Sequence, residues 1–437
     1  MSDESLNPLI SALLDPSCYP HAVQKVELIQ THLSWVLLAG EYAYKIRRPV
    51  RFDFVDMTTL ERRRQDCLDE LRLNQRFAPH LYVDVVSIGG TVAQPMLHRE
   101  PAGEYAVRLH RFPPQDELAA LLAGGTISVD EMIGFGARLA RIHVASPVCN
   151  RTGSAAALNV ATDNANELLR LSGNSDTGQA HALAQWLAAE WARIGDIADR
   201  RCADGFVREC HGDLHAGNIV RLRGELTAFD AISFNERLRC IDVASDIAFL
   251  VMDLQVRQHR SLAYAVLNGW LEASGDYEAV RLLRFFVVHR ALVRAKVALL
   301  NRDTGQSERY VALATDMARP TAPALTITCG LSGSGKTWMS TRVMTEASAI
   351  RVRSDVERKR LAGLRADESS GGAIYSVEFN TQVYEHLRMR VRCLLQAGQH
   401  VIVDAASLRR GERLAFQQLA AEEQATYTIL HCTAPED

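Results

Sequence analysis

One octapeptide in the C-terminal part of the chain limits the possible fold more than any other feature. Residues 330–337 read GLSGSGKT and fit the pattern G-x-x-x-x-G-K-[ST]. An apolar run at 325–329 precedes this loop, and a helical pattern begins at residue 336. Glycines let such a loop curl so that several backbone N–H groups point at one phosphate, with the helix N-terminus behind them. The sequence therefore predicts a strand, a phosphate-binding loop and a helix in direct succession.

Two side chains of this loop have specific expected roles. Lys336 is placed to reach the β- and γ-phosphates of a nucleotide, and Thr337 is placed to hold Mg²⁺. The residues that we expect to bind the nucleotide here are Gly330, Ser332, Gly333, Ser334, Gly335, Lys336 and Thr337.

Strand and helix patterns alternate around and after the loop, which indicates a parallel sheet with crossover helices. The expected strands are 325–329, 349–353, 400–404 and 426–432, and the expected helices are 336–347, 378–397 and 411–423. The strand at 401–404 ends in Asp404, which we expect to order the water shell of the bound metal ion.

Asp355 follows another of these strands and lies among Arg353, Arg358 and Arg360. A carboxylate at this place is a candidate base for an acceptor hydroxyl, with the arginines holding a phosphate or an acidic substrate. The alternative is a solvated helix start in which these charges pair with one another. The sequence leaves both interpretations open.

The residues before the phosphate-binding loop divide into a β-rich front and a helical back. Residues 33–46 predict a hairpin, and 58–77 predict a helix capped by Thr58 or Thr59. Further strands are expected near 82–88, 91–96 and 104–112. Helices are expected at 128–145, 179–201, 240–254, 260–274 and 278–301, with a polar stretch at 149–178 between the first two. This order predicts two lobes.

The densest polar cluster of the chain is HGDLHAGN at 211–218. An aspartate followed five residues later by an asparagine is the spacing of a kinase catalytic loop. Asp213 is then the base that accepts the proton of the attacking hydroxyl, and Asn218 holds Mg²⁺. Asp230, after the next turn, is the second expected metal ligand. His215 has two open roles, contact with the substrate or a hydrogen bond within the loop.

Kinase chemistry also needs a lysine on a strand of the β-rich lobe, paired with an acid on the next helix. Lys45 lies on such a strand and is expected to bind the nucleotide phosphates. Glu70 is our choice for its partner because it lies deep in the helix, and Glu61 is the alternative. Residues 107–112 are expected to join the lobes, where backbone groups meet adenine.

These residues resemble the aminoglycoside phosphotransferase family of small-molecule kinases, over about 30–300 of the chain. The C-terminal part is similar to the P-loop kinases that include gluconate kinase, polynucleotide kinase and zeta-toxin-like enzymes. The order of the two parts resembles bacterial proteins in which an aminoglycoside phosphotransferase-like domain is fused to a P-loop ATP-binding domain.

The resemblance implies an α+β two-lobed protein-kinase-like domain followed by an α/β P-loop kinase-like domain. It also implies that the turn at 38–41 covers the nucleotide. We expect the first domain at 1–317, with a β-rich lobe at about 25–112 and a helical lobe at about 113–301. A linker is expected at 318–324 and the second domain at 325–437. P-loop kinases normally continue beyond their fourth strand with an arginine-bearing lid. Because this sequence ends at TAPED, we expect an incomplete second domain without phosphoryl transfer of its own.

Composition excludes several classes of protein. With a net charge of −3 over 437 residues, a broad nucleic-acid-binding surface is not expected. No apolar run approaches the ~18–20 residues of a membrane span, and the first ten residues do not form a signal peptide. The nine cysteines form no C-x-x-C pair, so we expect reduced thiols, no zinc site and a cytoplasmic location.

The function that the sequence predicts is an ATP- and Mg²⁺-dependent phosphotransferase acting on a hydroxyl of a small molecule, such as a sugar or aminocyclitol. Two alternatives stay open. One is a nucleotide-binding regulatory or scaffold protein with little turnover. The other is a kinase activity of the P-loop domain toward a nucleic-acid end or another metabolite. The expected partner is the small-molecule acceptor, and the sequence does not indicate the oligomeric state.

Overall fold

A computed structural model describes residues 6–52, 54–149, 155–171, 177–365, 368 and 376–433. The chain forms two compact units. The first unit contains Met1–Gly125 and Glu209–Ile241, and the second contains Thr126–Arg208 and Asp242–Asp437. The helices after residue 242 therefore belong to the same compact unit as the C-terminal sheet, and the predicted domain boundary at 318–324 stays a prediction.

The strands and helices of the described residues are numbered in chain order. The strands are β1 (Val26–Gln30), β2 (Ser34–Ala39), β3 (Tyr42–Arg47), β4 (Arg51–Phe52), β5 (Val55–Asp56), β6 (Tyr82–Thr91), β7 (Gln94–Leu97), β8 (Ala102–His110), β9 (Val207–Glu209), β10 (Ile219–Leu222), β11 (Glu225–Ala228), β12 (Cys240–Asp242), β13 (Ala324–Cys329), β14 (Ile350–Arg353), β15 (His400–Asp404) and β16 (Thr426–His431). The helices are α1 (Pro8–Ala12), α2 (Leu60–Phe77), α3 (Leu118–Ala123), α4 (Val129–Ala145), α5 (Ala155–Leu171), α6 (Thr177–Ala203), α7 (Glu236–Arg239), α8 (Val243–Val256), α9 (Arg260–Ser274), α10 (Val280–Leu300), α11 (Thr304–Ala318), α12 (Lys336–Glu346), α13 (Ser354–Leu361), α14 (Val377–Gln396) and α15 (Arg410–Glu422).

An antiparallel sheet forms most of the first unit, in the order β1-β2-β3-β8-β6-β7. The predicted hairpin is confirmed, with Ala39 paired to Tyr42 across a turn in which Gly40 has a φ of 60°. Helix α2 is also confirmed, and its cap is Thr59, whose hydroxyl accepts the Arg62 N–H at 3.3 Å. Strand β3 and helix α2 thereby place Lys45 and Glu70 in one unit.

Helices form the front part of the second unit. The predicted helices are confirmed as α4, α6, α8, α9 and α10. Helix α5 lies inside the polar stretch at 149–178, for which the sequence analysis predicted no helix. Its buried residues Ala161, Asn164, Ala165 and Leu168 have helical spacing. These buried side chains are mostly small, and one is polar. The sequence therefore showed no clear apolar pattern in this segment.

Helices α4 and α9 approach so closely that glycine is required between them. A Cβ atom added at Gly136 would lie 2.1 Å from the backbone oxygen of Val266 on α9. Gly134, on the same helix, has no atom within 4 Å of its own added Cβ. The two positions therefore form a matched pair in which only the space next to the glycine differs.

We expect Gly136→Ala to destabilise the second unit by about 1–3 kcal/mol, because the backbone of α9 must move to admit the methyl group. Gly134→Ala, in contrast, should stabilise it by about 0.5–1 kcal/mol, because alanine has the higher helix propensity. Equilibrium urea unfolding of both variants checks the prediction. Equal effects at the two positions would contradict it.

The C-terminal sheet of the second unit is parallel, as predicted, and its strands lie in the order β14-β15-β13-β16. Helices α12, α14 and α15 lie at the predicted positions. Helix α13 directly follows β14 and begins at Ser354, in agreement with the alternative interpretation of Asp355 as part of a helix start. β13 is one of the two central strands of this sheet, and its carboxyl end leads into the phosphate-binding loop.

The cysteines differ in part from the expectation. Free thiols are found at Cys18, Cys67, Cys202, Cys210, Cys329, Cys393 and Cys432. Cys149 and Cys240 are disulfide-bonded, so the prediction of reduced thiols is wrong for these two. Spacing along the chain does not show which cysteines the fold brings near another sulfur.

Among the described helices, none has the length and apolarity to cross a membrane.

Candidate functional site

The loop that carries the H-G-D sequence lies in the first unit, directly before β10. The side-chain amide of Asn218 donates to the backbone oxygen of Asp213 at 3.0 Å and to its carboxylate Oδ2 at 3.2 Å. The Asp213 side chain is 37% exposed. The structure thus brings the predicted base and the predicted metal ligand into direct contact, with the carboxylate open to a substrate.

Neighbouring residues hold this loop in shape. His211 is fully buried, and its Nε2 lies 2.8 Å from the backbone oxygen of Phe229. Gly212 has a φ of 84°, and a Cβ atom there would lie 2.8 Å from the Leu238 oxygen. His215 accepts the Gly217 N–H at 3.1 Å through Nδ1, and its Nε2 lies 3.4 Å from Asp213 Oδ2. These contacts match the alternative in which His215 bonds within the loop.

Three charged groups that are far apart in the sequence meet next to this loop. Lys45 on β3 donates to Glu70 Oε1 on α2 at 2.9 Å and also to Asp230 Oδ1. Glu70 is fully buried. Glu61, the alternative partner, is 75% exposed and pairs with Arg64 at 3.8 Å. The structure therefore brings together Lys45, Glu70 and Asp230, and it leaves Glu61 outside the site.

A second buried cation, Arg47, belongs to the same cluster, and the sequence analysis missed it. Arg47 donates to Glu70 Oε2 at 2.5 Å and to Asp66, which is also on α2. The same guanidinium donates to Ser34 on β2 and to Ser233 after Asp230, each at 2.9 Å. Arg47 lies two residues after Lys45, so both point to the same face of β3. That alternation was the only signal in the sequence that could have identified it.

Asp230 has a strained backbone that other side chains support. Its φ is 63°, in the left-handed region that residues other than glycine seldom adopt. The Tyr82 hydroxyl accepts the Asp230 N–H at 3.1 Å, and Asn74 Oδ1 accepts the Ala231 N–H at 2.9 Å. Tyr82 and Asn74 are both buried. These two contacts stabilise the conformation that directs the Asp230 carboxylate toward Lys45.

The charges of the cluster keep its groups ionised. Burial alone would raise the pKa of Asp230, but Lys45 and, to a smaller extent, Arg47 outweigh it and lower the pKa below its ordinary value. Burial would likewise lower the pKa of Lys45, but Asp230 and Glu70 raise it. Burial raises the pKa of the Tyr82 hydroxyl well above its ordinary value, so it stays a neutral partner. Lys45 and Asp230 are therefore both charged at neutral pH.

The residues of the first site fit a hard cation such as Mg²⁺. Lys45 and Arg47 carry two positive charges, and Asp66, Glu70 and Asp230 carry three negative charges. The excess negative charge is at the solvent-accessible end, because the Asp230 side chain is 44% exposed while Asp66 and Glu70 are buried. Asn218 directs its NH₂ group to Asp213, which leaves its amide oxygen for a metal ion. Carboxylate and amide oxygens are suitable ligands for Mg²⁺.

A cluster of arginines around Glu209 connects the catalytic loop to α2. Glu209, two residues before His211, accepts from Arg72 at 2.9 Å, from Arg76 at 2.6 Å and from Arg239 at 3.1 Å. Arg239 also donates to the backbone oxygen of Ser233 at 2.8 Å. Burial by itself would raise the pKa of Glu209, but these arginines lower it to about 2. The sequence analysis did not identify this cluster.

The strand expected to meet the nucleotide base is β8, which ends at His110. The Arg111 N–H donates to the backbone oxygen of Glu41 at 2.8 Å, so the turn at 38–41 is tied to the residues after β8. Phe112 packs edge-on against Phe229, next to Asp230, with ring centroids 5.1 Å apart. The expected nucleotide-covering turn and the expected lobe connection therefore lie together in the first unit.

The phosphate-binding loop in the second unit has the shape that its sequence predicts. Gly333 and Gly335 have φ values of 81° and 78°. A Cβ atom at Gly330 would lie 2.4 Å from the Cys432 oxygen, so this position has no room for a side chain. Lys336 Nζ donates to the Leu331 oxygen at 2.5 Å, within the loop. Among the described residues, the buried Ser334 Oγ has no hydrogen-bond partner, which suits a cradle for an anion.

Asp404 lies at the end of β15, next to the start of α12. Its Oδ2 accepts the Ser340 hydroxyl at 3.0 Å, and Ser340 Oγ also donates to the Thr337 oxygen at 3.0 Å. Thr337 is exposed on the first turn of α12, while Ser332, on the loop before it, is also exposed. Ser340 thus bonds to the Asp404 carboxylate and to the backbone oxygen of Thr337, and a carboxylate and a threonine hydroxyl at this place fit a Mg²⁺ ion with its water shell.

The surroundings of Asp355 correspond largely to the alternative of paired charges. Asp355 Oδ2 lies 3.4 Å from Lys359 Nζ on the next turn of α13, and its side chain is 52% exposed. Arg353 donates to Glu272 at 2.8 Å, Arg358 donates to Asn380 at 2.7 Å, and Arg360 pairs with Glu357. The three arginines are therefore engaged by side chains of this chain. The role of Asp355 as a base stays a prediction.

Comparison with known proteins supports the two predicted parts of the chain. A sequence model of the phosphotransferase enzyme family matches residues 54–283, and a model of an AAA domain matches residues 325–437. The uncharacterized protein Rv2004c of Mycobacterium tuberculosis is 26% identical over 444 residues, which cover 97% of this chain and 87% of that protein.

Two solved structures are similar to 71% of this chain. A choline kinase from Cryptosporidium parvum has a TM-score of 0.46 with 9% identity over 94% of its chain. The GDP complex of aminoglycoside 2'-phosphotransferase-IIIa has a TM-score of 0.43 with 14% identity over 98% of its chain. The family match spans more than half of the sequence and contains Glu70, Asp213, Asn218 and Asp230. The protein therefore belongs to the phosphotransferase enzyme family and carries a P-loop AAA domain after its kinase-like domain.

Proposed function

We propose that this protein is an ATP- and Mg²⁺-dependent phosphotransferase whose acceptor is a hydroxyl of a small molecule such as a sugar or an aminocyclitol. The observation that carries the proposal is the meeting of Lys45, Glu70 and Asp230 next to the Asp213–Asn218 pair. These groups come from four separate segments of the first unit. Phosphoryl transfer needs this set, namely a lysine for phosphates, a base, and oxygen ligands for a metal ion.

Each residue has a defined task in this proposal. Lys45, held by Glu70, binds the α- and β-phosphates when the nucleotide enters. Asp213 accepts the proton of the acceptor hydroxyl, because its carboxylate is exposed and fixed by Asn218. Asn218 and Asp230 would hold Mg²⁺, which neutralises charge on the transferred phosphoryl group. Arg47 donates to Asp66 and shares Glu70 with Lys45, so Lys45 is not the sole counter-charge of Glu70 when it binds the phosphates.

The P-loop domain supplies a second nucleotide site in the same proposal. Its loop geometry, its orphaned Ser334 hydroxyl and the Thr337–Ser340–Asp404 connection support the binding of a nucleotide with Mg²⁺. We assign transfer to the first site. Asp213 is 37% exposed and is held by the Asn218 amide within the loop, whereas the Asp355 carboxylate pairs with Lys359 on the next turn of α13.

Transfer of label from γ-³²P-ATP into a pool of cell metabolites tests this assignment. We expect a labelled product from the wild-type chain and from Lys336→Ala in the presence of Mg²⁺, and none in the presence of EDTA. Lys336 belongs to the P-loop alone. Loss of the product in Lys336→Ala would therefore show that transfer takes place at the P-loop domain, and it would contradict the assignment. Nucleotide binding without any product from a complete metabolite pool would instead favour a regulatory or scaffold protein.

A further inference from the structure

Helix α9 lies outside the P-loop domain in the sequence, yet it contacts that domain at the edge of its sheet. Strand β14 is an edge strand, with β15 on one side only. On its open side, the Asn268 amide donates to the Ala349 oxygen at 3.0 Å and accepts the Arg351 N–H at 2.6 Å. The Asn268 side chain thus takes the place of a neighbouring strand. This double hydrogen bond fixes the position of α9 along β14.

One turn further along α9, Glu272 contacts two arginines of the same strand. Glu272 Oε1 accepts from Arg353 at 2.8 Å, and Oε2 lies 3.4 Å from Arg351. Residues four apart lie on one face of a helix, so Asn268 and Glu272 face β14 together. The Arg360 guanidinium also donates to the backbone oxygen of Glu272 at 2.5 Å. Glu272 is therefore held against the P-loop domain by Arg351, Arg353 and Arg360.

Arg353 connects Glu272 to the predicted metal site. In the parallel register, Arg353 pairs with Asp404 on β15. Its Nε lies 3.9 Å from Asp404 Oδ2, the oxygen that accepts the Ser340 hydroxyl. The guanidinium thus lies between two carboxylates, and among the described residues it donates its side-chain hydrogen bond to Glu272. Without Glu272, Asp404 would be the carboxylate within 4 Å of this guanidinium in the described part of the chain.

We propose that Glu272 is a positioning residue of the P-loop nucleotide site, which holds the Arg353 guanidinium away from Asp404 and keeps that carboxylate available to the metal ion of a bound Mg²⁺–nucleotide. The proposal rests on the nucleotide binding proposed above for the P-loop domain. The physical basis of the proposal is competition, because a guanidinium and a metal ion bind to the same carboxylate oxygens. It also makes a helix of the family-matched region 54–283 a necessary part of the second nucleotide site.

Binding of N-methylanthraniloyl-ATP to the full chain, titrated with Mg²⁺ and with EDTA, tests the proposal. The signal from the P-loop site is the component that Lys336→Ala removes. In the wild type, Mg²⁺ should increase the affinity of this site for the nucleotide. In Glu272→Gln we expect the ratio of the affinities with Mg²⁺ and with EDTA to be about tenfold smaller, a typical size for coupling between sites. Binding in EDTA should stay unchanged. A residue with a merely structural role would change the unfolding temperature and leave the Mg²⁺ dependence as it was.

Two further variants make the test independent of any loss of stability in Glu272→Gln. Arg353→Met alone should keep the Mg²⁺ dependence, because it removes the competing cation. The double variant Glu272→Gln with Arg353→Met should recover the Mg²⁺ dependence of nucleotide binding that Glu272→Gln alone loses. Glu278→Gln, which removes a 39% exposed carboxylate paired with Arg200 at 3.2 Å, is the matched control and should behave as the wild type.

The outcomes separate the two proposals. A wild-type chain without any Lys336-dependent binding would overturn both the second nucleotide site and the role of Glu272. A Lys336-dependent signal with the same Mg²⁺ dependence in the wild type and in Glu272→Gln would overturn only the role of Glu272. Loss of the Mg²⁺ dependence in Arg353→Met would also overturn it, because Arg353 would then assist the metal ion instead of competing with it.

Discussion

Replacement of Asp213 by asparagine is expected to reduce phosphoryl transfer about a thousandfold, within the range of about 10²–10⁴ that a general base contributes. Asparagine keeps the shape of the side chain and can still accept the hydrogen bond from the Asn218 amide. It cannot accept a proton from the acceptor hydroxyl. Because Asp213 is exposed and lies at the loop surface, we expect the fold and the binding of nucleotide to be retained.

The measurement is the initial rate of label transfer from γ-³²P-ATP at saturating acceptor, with a thermal unfolding scan of the same sample. Asp204→Asn is the matched control, since it changes an exposed aspartate in the turn after α6. A variant Asp213→Asn that keeps more than about a tenth of the wild-type rate would show that another group takes the proton. Asp355 would then be the next candidate.

Replacement of Glu209 by glutamine is expected to lower the free energy of unfolding by about 3 kcal/mol at neutral pH. The pKa of Glu209 falls from its ordinary value of 4.5 to about 2 in the folded chain. At 1.36 kcal/mol per unit, this difference corresponds to about 3 kcal/mol. Removal of one partner from a buried ionic cluster has a similar cost of about 3–5 kcal/mol. Glutamine keeps the volume but leaves Arg72, Arg76 and Arg239 without their shared carboxylate.

The free energy of unfolding should depend on pH in a direction that follows from the lowered pKa of Glu209. A carboxyl group with a lowered pKa in the folded state stabilises the fold above its ordinary pKa, and this stability is lost as the pH falls through the folded pKa. The difference between the wild type and Glu209→Gln should therefore be complete above about pH 5 and smaller by roughly 2 kcal/mol at pH 3. Urea unfolding at a series of pH values measures it.

A surface carboxylate provides the control for Glu209. Glu346 is 64% exposed and pairs with Arg342 one turn away on α12. Glu346→Gln should change the free energy of unfolding by no more than about 0.5 kcal/mol, because exposed ion pairs of this kind contribute little. Equal losses in the two variants would contradict the proposed importance of the arginine cluster.

The charged residues of the first site show which contacts a local sequence pattern predicts and which it does not. Lys45, Glu70, Asp213, Asn218 and Asp230 were identified from strand and helix patterns and from one short motif, because catalytic-loop chemistry requires fixed residue types at short spacing. Arg47, Glu209 and Tyr82 were not identified. Their partners lie as far as 186 residues away in the sequence, as for Arg47 and Ser233, and no local pattern indicates such a pair.

The same limit applies to the second unit. The four parallel strands and the phosphate-binding loop followed from the sequence, because the alternation of strand and helix and the glycine spacing are local properties. Helix α5 was missed because its buried stripe consists of two alanines, one asparagine and a single large apolar residue, Leu168. For the arginines near Asp355 the sequence left substrate binding and local charge pairing both open, whereas the fold pairs Arg353 with Glu272, which is 81 residues away.

The sequence by itself determined the two family-matched parts and their order, and it predicted two kinds of phosphate site with the residue types for their chemistry, since each depends on neighbours along the chain. Only the tertiary structure decided which charges neutralise one another, that Glu70 and not Glu61 meets Lys45, and that α9 contacts the edge of the P-loop sheet. The physical reason is that burial and charge pairing depend on distances in space, and those distances arise only when segments far apart in the sequence pack together.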